Sequence, residues 1–165
     1  MNEFILDYEP LNGRTGHAAG RELLKKLYSE NIGGEMPNIL IADRGKPYFS
    51  TGSVHFSISH TKRHVFCVLA EREVGLDAEE LDRAVKPALA AKILSAGEMA
   101  QYEAAMDKTK ALLTFWVLKE AAAKCSGEGL RGYPSHTNFS LNDPRVVELD
   151  GCLVAVIAKE DPHAL

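Results

Sequence analysis

The segment "GLDAE" sets Asp77 and Glu79 two positions apart. On an extended strand, residues i and i+2 share a face, so two carboxylates stand side by side among apolar strands. Two such anions repel, and one stays protonated unless a cation lies between them. Mg²⁺ meets that need, because it uses one or two carboxylates together with waters and substrate phosphate oxygens. The same residues also fit a solvated strand end running into the acidic "EELD" stretch.

A third carboxylate lies in "LLTFWVLKEAAAK", residues 112–124. At helical spacing, Leu112, Phe115, Trp116 and Ala123 form one stripe, to which Trp116 contributes packing. Glu120 shares the next stripe with Leu113, Val117 and Lys124. A helix this apolar on most sides is a buried one, so its charges need a purpose. Glu120 can join Asp77 and Glu79 in a metal corner, with Lys119 and Lys124 as phosphate partners. The plain alternative is an exposed i,i+4 pair worth about 0.3–0.5 kcal/mol. "FSISHT" puts His60 at a strand end, where a ring nitrogen can donate to a phosphate or accept a hydroxyl proton, or where it is simply a polar turn residue. "GKP" offers Lys46 in a turn. The sequence has neither a Walker loop nor a GxGxxG fingerprint, which excludes the usual nucleotide cradles.

These residues need elements to hold them. "EFILDYE" reads as a strand, and residues 15–30 as a helix with Ala18, Leu23, Leu24, Leu27 and Tyr28 inward, stopped by Gly33, Gly34 and Pro37. "NILIA" is a strand, and "DRGKPYF" a turn into an extended piece. "VHFSIS", "HVFCVLA" and "EVGLDAE" then alternate as strands of an antiparallel meander. Short helices follow near 87–94 and over 98–106, the second opened by a Ser95–Glu98 capping box. The long helix ends near Cys125, where Gly127 supplies a stop. "HTNFSL", "RVVEL" and "CLVAVIA" read as closing strands, with a hairpin turn at Asp150–Gly151. The fold class is α+β, with an antiparallel sheet on each side.

The 165 residues suit one domain, or two small halves sharing an interface. A net charge of −4 leaves no basic field for a nucleic-acid backbone. No apolar run reaches the roughly 18–20 residues that span a bilayer, and the acidic start "MNEFILDYEP" lacks the pattern of a signal peptide. Cys67, Cys125 and Cys152 form no CxxC pair and read as reduced thiols of a cytoplasmic protein.

Taken in order, "GKP", "FSISHT", "GLDAE" and "FWVLKEAAAK" with "GEGL" after it resemble the Sfp-type 4′-phosphopantetheinyl transferases. The family pattern looks like GKP, (F/N)-x-S-x-S-H-(S/T), G-(V/I)-D-(I/V/L)-E and W-x-x-K-E-(A/S)-x-x-K. The resemblance covers roughly residues 14–130. It implies transfer of phosphopantetheine from coenzyme A to a serine of an apo acyl or peptidyl carrier protein, releasing adenosine 3′,5′-bisphosphate. By motif, Asp77, Glu79 and Glu120 match the Mg²⁺ carboxylates, and Glu120 also the base for the serine. Lys124, with Lys119 beside it, matches the lysine at the leaving phosphate. His60 and Ser59 match residues touching the coenzyme A phosphates, and Lys46 and Pro47 the stretch lining the adenine.

The resemblance further implies a monomer of two pseudo-symmetric halves, residues 1–70 and 71–165, a short member of its family. Two departures stand out. Ala78 replaces a bulkier residue between the acids and should alternate to the opposite face. The N-terminal half is short, so Arg14, His17 or Arg21 is expected to reach the 3′-phosphate, unless they form a solvated basic helix face. Two other readings remain: a non-catalytic coenzyme A or carrier-binding module, and a metal-dependent hydrolase built on His55, His60 and His64 with Asp77.

Overall fold

A computed structural model describes residues 4–129 and 137–160. Strand β1 (Phe4–Pro10) leads into helix α1 (Gly16–Asn31), and β2 (Ile39–Ile41) and β3 (Pro47–Phe49) form a small hairpin. Strands β4 (His55–His60), β5 (His64–Ala70) and β6 (Val74–Glu80) follow. Then come α2 (Ala88–Ile93), α3 (Ala96–Ala104), α4 (Lys108–Ser126), β7 (Val146–Leu149) and β8 (Cys152–Ala158). The α+β class is borne out: helices pack on antiparallel sheets ordered β1-β5-β4 and β6-β8-β7.

Alternation along the strands sorts the core into layers. Val65, Cys67 and Leu69 of β5 face α1, where Ala19, Leu23, Leu24 and Leu27 meet them. Phe66, Val68 and Ala70 face the second sheet, against Val74, Leu76 and Ala78 of β6 and Cys152, Val154 and Val156 of β8. Leu153, Ala155 and Ile157 then turn outward to Leu113, Val117, Leu118 and Ala121 of α4. The order is helix, sheet, sheet, helix. Leu112 and Phe115, on another side of α4, pack on Ala90, Ile93 and Leu94. Helix α4 is therefore apolar nearly all round because it is covered nearly all round.

Three expectations need correction. Strand β6 does not continue a meander with β4 and β5. Strand β5 is central, with β1 on one edge and β4 on the other, so it has no edge left for β6, which pairs with β8. The segment at 137–141 is not a strand. Its backbone is held by side chains instead, with Phe139 N–H donating to Glu98 at 3.0 Å and Leu141 N–H to Gln101 at 3.0 Å; His136 lies outside the described residues. Ala18 is exposed, and its neighbour Ala19 takes the core position.

The caps of α3 and α4 follow the sequence signals. Thr15 caps α1, the Ser95–Glu98 box opens α3, and Gly127 closes α4 with a left-handed φ of 72°. Asp150 and Gly151 both take positive φ, 49° and 76°, in the tight hairpin between β7 and β8.

Candidate active site

Strand β6 has two faces with different tasks. Val74, Leu76 and Ala78 enter the inter-sheet core, so Gly75, Asp77 and Glu79 turn toward α4. Gly75 sets how close the helix can come. A Cβ there would collide with the Ala121 carbonyl and the Cys125 N–H of α4, so glycine is required for this approach. The helix then lays Lys124 directly on the strand: its ammonium donates to the Leu76 carbonyl at 2.9 Å and to Asp77 Oδ1 at 2.9 Å.

The free edge of β6 is closed by β4. The Leu76 and Ala78 N–H groups donate to the hydroxyls of Ser57 (3.0 Å) and Ser59 (3.2 Å). Ser59 in turn donates to Asp77 Oδ1 at 3.3 Å. Two alternating serines thus join the sheets, and Ser59 also orients the buried carboxylate. The "FSISH" alternation carried that signal for Ser57, which had not been singled out.

Asp77 is 7% exposed, and its Oδ2 lacks a hydrogen-bond partner among the described residues. Burial raises its pKa, with the Glu79 charge adding to the effect and Lys124 opposing it. Half-buried Glu120 is pushed up from its ordinary 4.5 to about 7, first by burial and then by the charges of Asp77 and Glu79, against Lys124 and Arg83. Glu79 ion-pairs with Arg83 and accepts from the Trp116 indole N–H at 3.2 Å. Trp116 therefore does more than pack. The oxygens of Asp77, Glu79 and Glu120 crowd one another electrostatically but do not all come within 4.8 Å of one another.

Two clefts flank this corner. One, about 230 Å³, is lined by Lys46, Pro47, Phe56, Ile58, Glu120 and Lys124 among others. The other, about 640 Å³ and more polar, is lined by His60, Lys62, Arg63, Glu79 and Arg83 among others. Lys46 and Pro47 thus reach the first cleft as expected, although the Lys46 ammonium is engaged by Glu73 and, at 2.8 Å, by the Cys125 carbonyl. His60 is exposed and its ring sits over Gly16, at the start of α1, leaving no room there for a Cβ.

Some expected residues go elsewhere. Lys119 is not beside Lys124. It is 1% exposed and donates to Glu98 Oε1 at 2.6 Å and to the Thr137 hydroxyl, fastening α4 to α3. Five positions at about 100° each carry it well away from Lys124 around the helix. The capping box had given Glu98 a local job, with no hint of this second one. Arg14 is tied by Glu9 at 2.9 Å, Glu22 at 2.6 Å, and the Leu11 and Pro10 carbonyls. His17 is exposed and Arg21 half-buried on the turns that follow. The three histidines do not converge on Asp77: His55 lies 3.5 Å from Glu73, His60 over α1, and His64 2.9 Å from Asp150.

A strand and a helix bring three carboxylates and a lysine together beside two clefts, a set of donor types that suits a hard cation and an anionic substrate. The comparisons narrow that class. Residues 73–152, which hold Asp77, Glu79, Glu120 and Lys124, match the family described as the 4′-phosphopantetheinyl transferase superfamily. The chain is 26% identical over 115 residues to the 4′-phosphopantetheinyl transferase gsp of Aneurinibacillus migulanus, covering 67% of this chain and 48% of that protein. It is 29% identical over 96 residues to a 4′-phosphopantetheinyl transferase of Bacillus subtilis, covering 54% of this chain and 41% of that one. The chain spans about half the length of the curated relatives it matches. These matches bear out the resemblance drawn from the motifs. Among the described residues, no helix is long and apolar enough to cross a membrane.

Proposed function

We propose that this chain transfers 4′-phosphopantetheine from coenzyme A to a serine hydroxyl of an apo acyl or peptidyl carrier protein. The observation that carries the proposal is the pair formed by Asp77 Oδ2, buried without a partner among the described residues, and Glu120, whose pKa is raised to about 7 by burial first and then by the charges of Asp77 and Glu79. Carboxylates crowded in this way fit a hard divalent cation. Asp77, Glu79 and Glu120 would hold Mg²⁺, which when bound offsets charge on the pyrophosphate oxygens.

The remaining steps belong to the chain's own side chains. Glu120 accepts the serine proton as the Oγ–P bond forms, and the P–O bond to adenosine 3′,5′-bisphosphate breaks. Lys124, held by Asp77 and the Leu76 carbonyl, neutralises or protonates the leaving phosphate. Coenzyme A occupies the cleft beside Lys46 and Pro47, with His60, His17 and Arg21 toward its phosphates. Arg14 acts through the turn it braces rather than as a phosphate ligand. Lys119 supports the helix that carries Glu120. The carrier serine approaches from the polar cleft bordered by Lys62 and by Arg63, which Glu80 and Asp82 already pair, so that Lys62 is the residue offered to an acidic partner.

We read residues 1–70 and 71–165 as pseudo-symmetric halves of a monomer, since each contributes a three-stranded antiparallel sheet covered by a long helix. A cytoplasmic setting agrees with the free thiols of Cys67, Cys125 and Cys152, and nucleic acid is not among the expected partners.

The test is incubation with coenzyme A, Mg²⁺ and a panel of apo carrier proteins, each then weighed by mass spectrometry. A phosphopantetheine mass gain is expected on at least one carrier. Absence of any gain, where a control transferase modifies the same carriers, would refute the proposal.

A further inference from the structure

A second cluster of donor atoms lies on the other face of β6, at the end of the inter-sheet core. Glu80 alternates away from Glu79 and α4, and meets His64 at the start of β5 and Cys152 at the start of β8. A nitrogen, a sulfur and an oxygen from these side chains all lie within 4.8 Å of one another, the one such group among the described residues. Glu80 is 5% and Cys152 1% exposed.

The distances suit a tetrahedral cation. With Zn–S about 2.3 Å and Zn–N about 2.0–2.1 Å, tetrahedral geometry sets nitrogen and sulfur about 3.6 Å apart. Here His64 Nδ1 and Cys152 Sγ are 3.8 Å apart. That separation is long for a short, strong hydrogen bond and close to what two ligands of one ion require.

The outer contacts point the same way. His64 Nε2 lies 2.9 Å from Asp150 Oδ2. When that nitrogen carries the proton, Nδ1 presents its lone pair toward Cys152. A carboxylate holding the remote ring nitrogen is the usual support of a metal-ligating histidine. The Glu80 carboxylate is also held, with Oε1 accepting from the Thr61 hydroxyl at 2.8 Å and the Arg63 N–H at 2.9 Å, while Oε2 pairs with the Arg63 guanidinium. An ion would displace that guanidinium from Oε2, and Asp82, already 2.8 Å from it, retains it.

We propose that His64 Nδ1, Cys152 Sγ and a Glu80 carboxylate oxygen form a site for a borderline-soft first-row divalent cation, Zn²⁺ by its donor set. One thiolate, one imidazole and one carboxylate favour such an ion over Mg²⁺. Binding joins β5 of one sheet to β6 and β8 of the other, and releases the thiol proton to solvent. The site is separate from the Asp77 corner, and its role is to fasten the sheets.

Titration of the full chain with Co²⁺, under reducing conditions and excess Mg²⁺, tests this. The wild type should develop a thiolate-to-cobalt charge-transfer band that Zn²⁺ abolishes, and Zn²⁺ should raise its melting temperature. Cys152→Ser should lose the band. Asp150→Asn should weaken binding by about 10–100-fold while leaving the metal-free melting temperature near that of wild type, and His64→Gln, which removes a ligand, should weaken it further. No band in the wild type, or an undiminished band in Cys152→Ser, overturns the proposal. So does Zn²⁺ stabilisation equal in all four proteins.

Discussion

Replacing Glu120 by glutamine should make the metal-free protein more stable, even as it abolishes the proposed transfer. Glu120 is held at a pKa of about 7 against an ordinary 4.5, first by burial and next by the charges of Asp77 and Glu79. A carboxylate raised in the native state contributes stability that is fully present below about pH 4.5. That stability is lost as pH rises through about 7. At about 1.4 kcal/mol per tenfold step, ionising Glu120 in the metal-free fold costs about 3 kcal/mol as an upper bound. Solvent relaxation around a half-buried side chain brings this to on the order of 2 kcal/mol. Glutamine keeps the shape and removes the charge.

The assay is chemical denaturation of wild type and Glu120→Gln in chelator at pH 5 and pH 8. At pH 5, just above the ordinary value, the gap should already be small, under about 1 kcal/mol. At pH 8 the variant should lead by on the order of 2 kcal/mol, or about 4–8 °C in melting temperature at roughly 2–4 °C per kcal/mol. Saturating Mg²⁺ should then stabilise the wild type more than the variant, narrowing or reversing the gap. A gap independent of pH, or a variant less stable at pH 8 without metal, would refute the reasoning. Either result would mean that the three carboxylates do not share one electrostatic site.

Two further substitutions separate scaffold from chemistry. Lys119→Met leaves Glu98 charged and buried without its partner, and should cost about 3–5 kcal/mol by denaturation; adding Glu98→Gln should restore much of it. If Lys119 instead serves a phosphate, the single variant will raise the coenzyme A KM without that stability loss. Ser57→Ala and Ser59→Ala each strand one edge N–H of β6, and each should cost about 1–3 kcal/mol. Ser59→Ala alone should also weaken Mg²⁺ binding measured by calorimetry, because only Ser59 touches Asp77; equal Mg²⁺ affinity in both variants would sink that assignment.

The acids were legible because strand periodicity forces Asp77 and Glu79 onto one face and helical periodicity joins Glu120 to Lys124. Capping chemistry likewise marked Ser95 and Gly127 before any packing was known. What stayed hidden depends on partners distant in the chain. Nothing local to "HVFCVLA" says that β1 will claim its second edge and exclude β6. Nothing local to "FWVLKE" says that Lys119 will find Glu98, since that contact requires α3 to fold back along α4. Segment 137–141 shows the same limit: its residues alternate like a strand, but Glu98 and Gln101 supply its hydrogen bonds first.

Helix α4 shows why charge on an apolar helix has to be judged residue by residue. Lys119 and Glu120 are neighbours in sequence, yet one is fully buried and paired while the other opens onto a cleft among like charges. A turn of about 100° separates a structural ion pair from a carboxylate that faces a cleft. The buried pair is strong because both members are satisfied, with Glu98 also accepting from Ser95 and Phe139 N–H groups. Among the described residues its neighbour lacks such a paired cation, since Lys124 spends its ammonium on Asp77 and the Leu76 carbonyl and reaches Glu120 only through its charge. Rigid support on one side of the helix thus permits an electrostatically unfavourable carboxylate on the next, and that carboxylate is the one able to gain most from a cation or a proton.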